Sequence, residues 1–368
     1  MVDRSCFAQL EILSLAMTPL DSTSRSTFNL SYFGGLLLCL AAYITGWHLI
    51  RKAKLLLYGK AKPSPVPVSV NYFPTRLCNK TCGFCFHVDK TSYMLPEKDA
   101  KRGLKKLVEA GMKKLNVAGG EPFLFPEFLG NICRYVKEDL HLESVSIVTN
   151  GTKVTEKWLQ KYGKFVDIIA VSCDSLNEQT NIEIGRGSGD NVQQLRRISK
   201  WCQQGGIKFK MNTVVCKLNW LEDMSAIIEE LNPFRWKCFQ VLLVGGENDE
   251  KSAKGRGKQF DKFRITDEQF EAFCERHRHL GDRFIPESNA VMAKSYLLLD
   301  EYMRFLDKGN GIEKTSESIL KVSVAEALLQ VEWDVESFEK RGGIYDWRKE
   351  VPQSGRDCGS AEMGKLDW

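Results

Sequence analysis

The chain has 368 residues, 43% hydrophobic and 27% charged, which suits one large globular domain with a sizeable core plus appendages. A formal net charge of +5 is too small an excess to argue for nucleic acid, and it is compatible with anionic substrates or an anionic membrane surface. Most of the twelve cysteines are scattered singly through apolar runs, as Cys173, Cys216 and Cys238 are, which favours buried free thiols in a reducing compartment over a disulfide framework.

Residues 28–50 contain no Asp, Glu, Lys or Arg, and Arg51, Lys52, Lys54, Lys60 and Lys62 follow with no acid among them. An apolar helix with a basic flank associates with a membrane and keeps that flank cytoplasmic. The run is long enough to span, but Ser31, Thr45, His48 and the glycines dilute it enough to lie in the interface; a core helix is the bland alternative. No small-x-small site follows, so it does not read as a cleaved signal peptide. Residues 61–67 form a Pro-rich linker.

Strand-like and helix-like segments then alternate. Strands are expected at Val68–Tyr72, Leu115–Ala118, Val145–Thr149, Ile168–Cys173, Lys208–Val215 and Trp236–Val244. Helices are expected at Glu97–Ala110, Pro126–Glu138, Thr155–Tyr162, Asn191–Gln204 and Leu221–Leu231. Six parallel βα units predict an α/β fold, a partial (β/α)6 barrel over 68–245, with chemistry at the C-terminal ends of the strands. Residues 1–60 are the membrane-associating segment and 246–368 a C-terminal extension. The charged stretch 247–262 reads as an exposed loop.

One group of cysteines is clustered. The run TRLCNKTCGFCFH places Cys78, Cys82 and Cys85 at C-x3-C-x2-C. Three thiolates on one tight loop can hold three irons of a cubane and leave the fourth open for a small ligand, whereas ferredoxin-type clusters and structural zinc take four ligands. His87 is a poor fourth ligand, only two residues after Cys85. With the aromatic Phe84 before the last cysteine, just after a first strand, the motif resembles that of radical S-adenosylmethionine enzymes. The resemblance implies a [4Fe–4S] cluster on Cys78, Cys82 and Cys85, with S-adenosylmethionine held by Phe84, by Gly119, Gly120 and Glu121 of a GGEP motif, and by Asn150, Ser172 and Arg186. For the last three, a loop cap or turn residue is the ordinary alternative.

The segments EAGMKKLNVAGGEPFL, SCDS, IGRG, NPFRWKCFQ, PESN, SYLLLDEYMRFL, KRGG and the terminal KLDW are similar to the viperin family of interferon-induced antiviral enzymes, over about residues 66–350 and the last few residues. The resemblance implies a lyase that dehydrates CTP to 3′-deoxy-3′,4′-didehydro-CTP, on the cytosolic face of the endoplasmic reticulum and on lipid droplets. Lys210 and Asn212 share one strand face, as do Arg235 and Lys237, and cations facing a barrel interior need an anion. With Lys114 and Arg341 they are expected to grip a triphosphate, Asn71 and Asn212 to help hold the nucleotide, and Tyr296 to supply a proton or hydrogen. A surface role for each cation, and a packing role for Tyr296 on a helix of apolar spacing, are the alternatives. The segment after 335, with Arg341, is expected to fold over the nucleotide as a lid. Trp368 at the terminus suggests an anchor for the cytosolic iron–sulfur assembly machinery.

The sequence departs from that family at Ala118, where several members have Ser, at Gly245 in place of Glu, in a slightly longer charged loop, and in an insert before KLDW. None of these removes a cluster ligand or a phosphate contact. Asn29, Asn79 and Asn150 head glycosylation-type sequons, but the last two fall in expected active-site loops. A molybdenum-cofactor cyclase of the same superfamily would need a second cysteine cluster near the C-terminus, where only Cys358 lies. A membrane-bound scaffold recruiting signalling or lipid-synthesis proteins is the non-enzymatic alternative.

Overall fold

The structure is a computed structural model that describes residues 66–87, 90–245, 247–248, 261–308 and 314–349, with Gly46 alone before them. The segment expected at the membrane, most of the linker, most of the charged loop and the tail with Trp368 lie outside the described residues. No helix among the described residues is long and apolar enough to cross a membrane.

Seven strands run parallel: β1 (Ser69–Tyr72), β2 (Lys114–Val117), β3 (Ser144–Thr149), β4 (Ile168–Ser172), β5 (Lys208–Val215), β6 (Arg235–Gln240) and β7 (Phe284–Glu287). The connecting helices are α1 (Glu97–Glu109), α2 (Pro126–Arg134), α3 (Glu156–Tyr162), α4 (Glu178–Ile184), α5 (Asn191–Gln204), α6 (Ser225–Leu231) and α7 (Asp267–His277). After β7 come α8 (Asn289–Met292), β8 (Leu298–Leu299), β9 (Arg304–Asp307), β10 (Lys314–Ser318), α9 (Val324–Leu328) and α10 (Val335–Lys340). The sheet order β10-β9-β8-β1-β2-β3-β4-β5-β6-β7 does not close on itself, so the expected partial barrel is what forms. The parallel array runs past residue 245, because β7 pairs with β6 after α7.

The helices bury one face each on the sheet. In α1 the buried residues Ala100, Gly103, Leu104 and Leu107 repeat at helical spacing, and in α5 Leu195, Ile198 and Cys202 do so. Thr155 caps α3 by accepting from the Trp158 amide, and Thr266 with Gln269 forms a capping box on α7. All nine described cysteines are free thiols.

Three segments differ from expectation. The helix over 126–138 ends at Arg134 and passes into a π-helical turn at Tyr135–Asp139. The helix expected from Leu221 starts at Ser225, since Asn219 turns the chain by accepting from the Cys216 amide. The run SYLLLDEY is no helix: the Leu297 and Leu299 carbonyls accept from the amides of Asn71 and Phe73, so the segment is spent on the edge of β1.

The chain after α10 passes beneath the N-terminal ends of the strands. Lys114 donates to Tyr345 Oη at 2.8 Å, Ser144 to the Trp347 carbonyl at 2.9 Å and Lys208 to Asp346 at 3.1 Å, while the Lys349 amide donates to Asp167 at 3.2 Å. The segment expected to close the site lies here, and its Arg341, Gly343 and Tyr345 line the cavity described below. Residues 345–349 form a floor at the end of the barrel opposite the cysteine loop, because their partners sit at or before the starts of β2, β3, β4 and β5, while Arg341 reaches Glu287 at the end of β7.

Candidate active site

The loop after β1 carries the three cysteines and is clipped from two sides. On one side the amides of Gly120 and Glu121 donate to the carbonyls of Thr75 and Leu77 at 2.9 and 2.8 Å. A Cβ on Gly120 would collide with the Leu77 carbonyl, so that approach requires glycine. On the other side Thr81 donates to the Gly185 carbonyl at 2.9 Å and Gly83 to that of Ile184 at 3.0 Å. Gly185 sits at φ +94 with the Thr81 carbonyl where a side chain would go. The GGEP and IGRG motifs are thus backbone clamps on the cysteine loop.

Cys78, Cys82 and Cys85 line one cavity of about 360 Å³, with Phe84, Gly119, Gly120, Asn150, Ser172 and Arg186 around them. Burial pushes the Cys78 thiol up and the Cys82 thiol to about 11. Among the described residues no three His, Cys, Asp or Glu side chains, these thiols included, converge closely enough to hold a single metal ion. Three thiols facing a cavity, on a loop held by glycine backbone, fit a cluster with one open iron better than a four-ligand site. Cys78, Cys82 and Cys85 would hold the cluster.

Two expected cofactor residues are already engaged. Glu121 is fully buried and does not line the cavity. Its carboxylate accepts from the Phe123 amide (3.0 Å), Thr149 Oγ1 (2.7 Å) and the Asn150 amide (2.7 Å), so its side chain fixes the ends of β2 and β3 rather than facing a ligand. Glu121→Ala should leave three buried donors unsatisfied and cost about 3 kcal/mol of folding stability, measured by denaturant titration. A change within experimental error would mean that water replaces the carboxylate. Arg186 reaches the cavity but pairs with Asp174, a fully buried acid whose other oxygen accepts from the Val214 amide at 2.9 Å. Burial opposes the charge on Arg186, and Asp174 more than restores it. An acid at the end of β4, beside Cys173, was the available signal for Asp174.

The lower cavity is polar and cationic. Asn71, Asn116, Ser146, Lys114, Lys210, Asn212, Lys237, Tyr296, Arg341 and Tyr345 line it. The register places Asn71 beside Asn116 and Ser146, and Asn212 beside Lys237. Asn116 donates to Asn71 at 2.6 Å, while the buried Asn212 Oδ1 and Ser146 Oγ have no hydrogen-bond partner among the described residues. Burial drives Lys114 down to about 7, reinforced by Arg235 and Arg341. Burial takes Lys237 to about 7 as well, with Glu287 opposing. Lys210 is pushed well below its usual value by burial, then by Lys237 and Lys114, and no described residue hydrogen-bonds its ammonium. Arg235 does not line the cavity; its guanidinium lies 4.1 Å over the Tyr345 ring and donates to the Gly342 carbonyl. Arg341, distant in sequence from the barrel, stacks 3.9 Å from the Tyr296 ring. Glu287 was not foreseen: this buried acid of β7 holds Lys237, Tyr296 and Arg341 together.

Residues 72–231 match the radical SAM superfamily. The chain is 50% identical over 294 residues to an S-adenosylmethionine-dependent nucleotide dehydratase RSAD2 of Siniperca chuatsi, covering 79% of this chain and 82% of that one. The RSAD2 of Danio rerio is 47% identical, over 84% and 83% of the two chains. An S-adenosylmethionine-dependent nucleotide dehydratase of a Thermoplasmatales archaeon is 35% identical, over 73% and 92%. Among solved structures, Streptococcus suis SuiB bound to its precursor peptide SuiA superposes with a TM-score of 0.58 at 16% identity, over 91% of this chain and 79% of that one. Native anSMEcpe with bound AdoMet gives 0.53 at 15%, over 74% and 83%. Both support the fold alone. With a clamped three-cysteine loop over a cationic cavity, and relatives of this identity and coverage, the chain belongs to the S-adenosylmethionine-dependent nucleotide dehydratases, the viperin family of the radical SAM superfamily, whose cofactors are a [4Fe–4S] cluster and S-adenosylmethionine.

Proposed function

We propose that the nucleotide is CTP, that the product is 3′-deoxy-3′,4′-didehydro-CTP, and that the enzyme serves interferon-induced antiviral defence by giving viral polymerases a chain terminator. The observation that carries the triphosphate is the Lys210 ammonium, without a hydrogen-bond partner among the described residues, in one cavity with Lys114, Lys237 and Arg341. Lys237 and Arg341 pair with Glu287, but Lys210 has no such partner among the described residues; a cation so placed is costly without an anion, and phosphate oxygens are the usual partners of Lys and Arg.

When bound, the cluster and S-adenosylmethionine supply the one-electron chemistry that removes hydrogen from ribose C4′. Loss of that hydrogen, departure of the 3′-hydroxyl as water after it takes one proton, and addition of one electron leave a C3′=C4′ double bond. Lys114, Lys210, Lys237 and Arg341 bind the phosphates, and Arg235 supports them through Tyr345. Asn71 and Asn212 orient the nucleoside, the latter with its unpartnered Oδ1. Phe84, Gly119, Gly120, Asn150, Ser172 and Arg186 contact S-adenosylmethionine, with Glu121 behind them. Tyr296 is the proton donor: burial holds its phenol well above the usual value, so it stays protonated at working pH. The floor closes one end of the cavity against water.

Localisation to the cytosolic face of the endoplasmic reticulum and lipid droplets through residues 28–62, and delivery of the cluster through Trp368, belong to the same reading and rest on sequence. The selectivity test is turnover of anaerobically reconstituted enzyme with each of the four ribonucleoside triphosphates. CTP alone should stimulate 5′-deoxyadenosine formation and lose the mass of water. Equal turnover of UTP or GTP would replace the cytosine assignment.

A further inference from the structure

Lys237 of β6 and Arg341, just after α10, already hold an anion, and it belongs to the chain itself. Glu287, the last residue of β7, is 1% exposed. Its Oε1 pairs with Lys237 Nζ and lies 3.4 Å from Arg341 Nη1, and its Oε2 accepts from Tyr296 Oη. Lys237 also donates to Tyr296 Oη at 2.9 Å. Lys237, Tyr296 and Arg341 line the cavity; Glu287 does not, so it touches all three from behind.

We propose that Glu287 is an internal counter-anion and positioning residue: an incoming triphosphate draws Lys237 and Arg341 away from it, and the freed carboxyl then takes a proton that it passes through Tyr296 to the departing 3′-hydroxyl. This rests on the dehydration reading above. The physics is a change of partners. Burial opposes ionisation of Glu287, and Lys237 and Arg341 outweigh it and hold its carboxyl below the usual range. Turning both cations toward phosphate leaves the burial without its compensation, so the carboxyl binds a proton. Lys210 of β5 and Tyr345 of the floor also sense its charge. While ionised, Glu287 holds the Tyr296 proton for itself; once protonated, it donates to Tyr296 and Tyr296 donates onward.

The step balances. One proton moves from Glu287 Oε2 to Tyr296 Oη while the Tyr296 proton moves to the 3′-oxygen, the C3′–O bond breaks and water leaves. No electron passes through Glu287; the electron comes from a one-electron reductant, dithionite in the assay.

The experiment compares the full-length wild type, Glu287→Gln and Glu287→Asp. Isothermal titration with inorganic tripolyphosphate and with CTP measures binding. Turnover with S-adenosylmethionine, CTP and dithionite gives the ratio of 5′-deoxyadenosine to dehydrated nucleotide. Glu287→Gln should bind tripolyphosphate about 10-fold more tightly, because no internal anion competes. Its ratio should rise about 10-fold, because hydrogen abstraction proceeds without its proton donor. Glu287→Asp keeps the carboxyl and should regain most of the coupling, which also separates the effect from misfolding. Unchanged or weaker tripolyphosphate binding by Glu287→Gln overturns the internal anion whatever the substrate. An unchanged ratio overturns the relay. If the wild type dehydrates no nucleotide while the tripolyphosphate result holds, the substrate reading fails instead.

Discussion

Replacing Cys82 with alanine should abolish the iron–sulfur absorbance and the cleavage of S-adenosylmethionine together, and leave the chain folded. Cys82 is 8% exposed, and its neighbours Thr81 and Gly83 are tied by their amides to Gly185 and Ile184. The loop's path therefore depends on backbone contacts that the substitution does not touch. Loss of a small buried thiol costs on the order of 1 kcal/mol, far less than the stability of a domain. A cubane with only two cysteine ligands on this loop has no third there, and the other described cysteines are buried in the core. Iron content, charge-transfer absorbance and 5′-deoxyadenosine after anaerobic reconstitution measure the outcome. A variant that retained a full complement of iron and cleaved S-adenosylmethionine would sink the assignment of Cys82 as a ligand.

Lys210→Met should weaken binding of a nucleoside triphosphate by roughly 10- to 100-fold and raise the melting temperature. A charge-assisted hydrogen bond to phosphate contributes about 1.5–3 kcal/mol. The same ammonium, with no hydrogen-bond partner among the described residues and with Lys237 and Lys114 as neighbours, destabilises the fold, and an apolar chain of similar shape removes that cost. Titration calorimetry and thermal unfolding read the two effects separately, and a lower melting temperature with unchanged affinity would contradict both. Lys114 and Lys237 make affinity depend on pH as well, since burial sets both near 7. Bound phosphate raises their proton affinity, so affinity is full below about pH 7 and declines as pH rises above it. Tripolyphosphate titrations on the alkaline side of neutrality check the sign.

The parts of this fold that a sequence reveals are those whose periodicity answers to one partner. α5 and β5 have the bounds that their apolar spacing predicts, Asn191–Gln204 and Lys208–Val215. β7 escaped because its FIPE contains Pro286, which argues against a strand until the strand is seen to lie at the sheet's edge. β8 escaped because two residues carry no period, and only the waiting edge of β1 makes them a strand. The site divides in the same way. The cysteines and most of the cavity cations announced themselves by spacing and resemblance, and they do line one cavity. The partners behind them did not. Asp174 behind Arg186, Glu287 behind Tyr296 and Tyr345 beneath Lys114 and Arg235 are known only from three-dimensional contact, because the residues that hold a functional side chain need no fixed distance from it along the chain.

The floor at 345–349 has a consequence for the order in which the enzyme matures. Synthesis proceeds from the N-terminus, and domains begin to fold as they emerge from the ribosome. The cysteine loop is made early, both of its glycine clamps exist once Gly185 is made, and every described strand is complete at Ser318. Arg341 and Tyr345 arrive after all of these. The thiol end of the barrel is therefore built before its phosphate end, whereas the proposed delivery of the cluster through Trp368 has to wait for the whole chain. Premature termination between Ser318 and Arg341 would then give a chain with the cysteine loop and both of its clamps, but without Arg341, the floor beneath Lys114 and the Trp368 through which a cluster would be delivered.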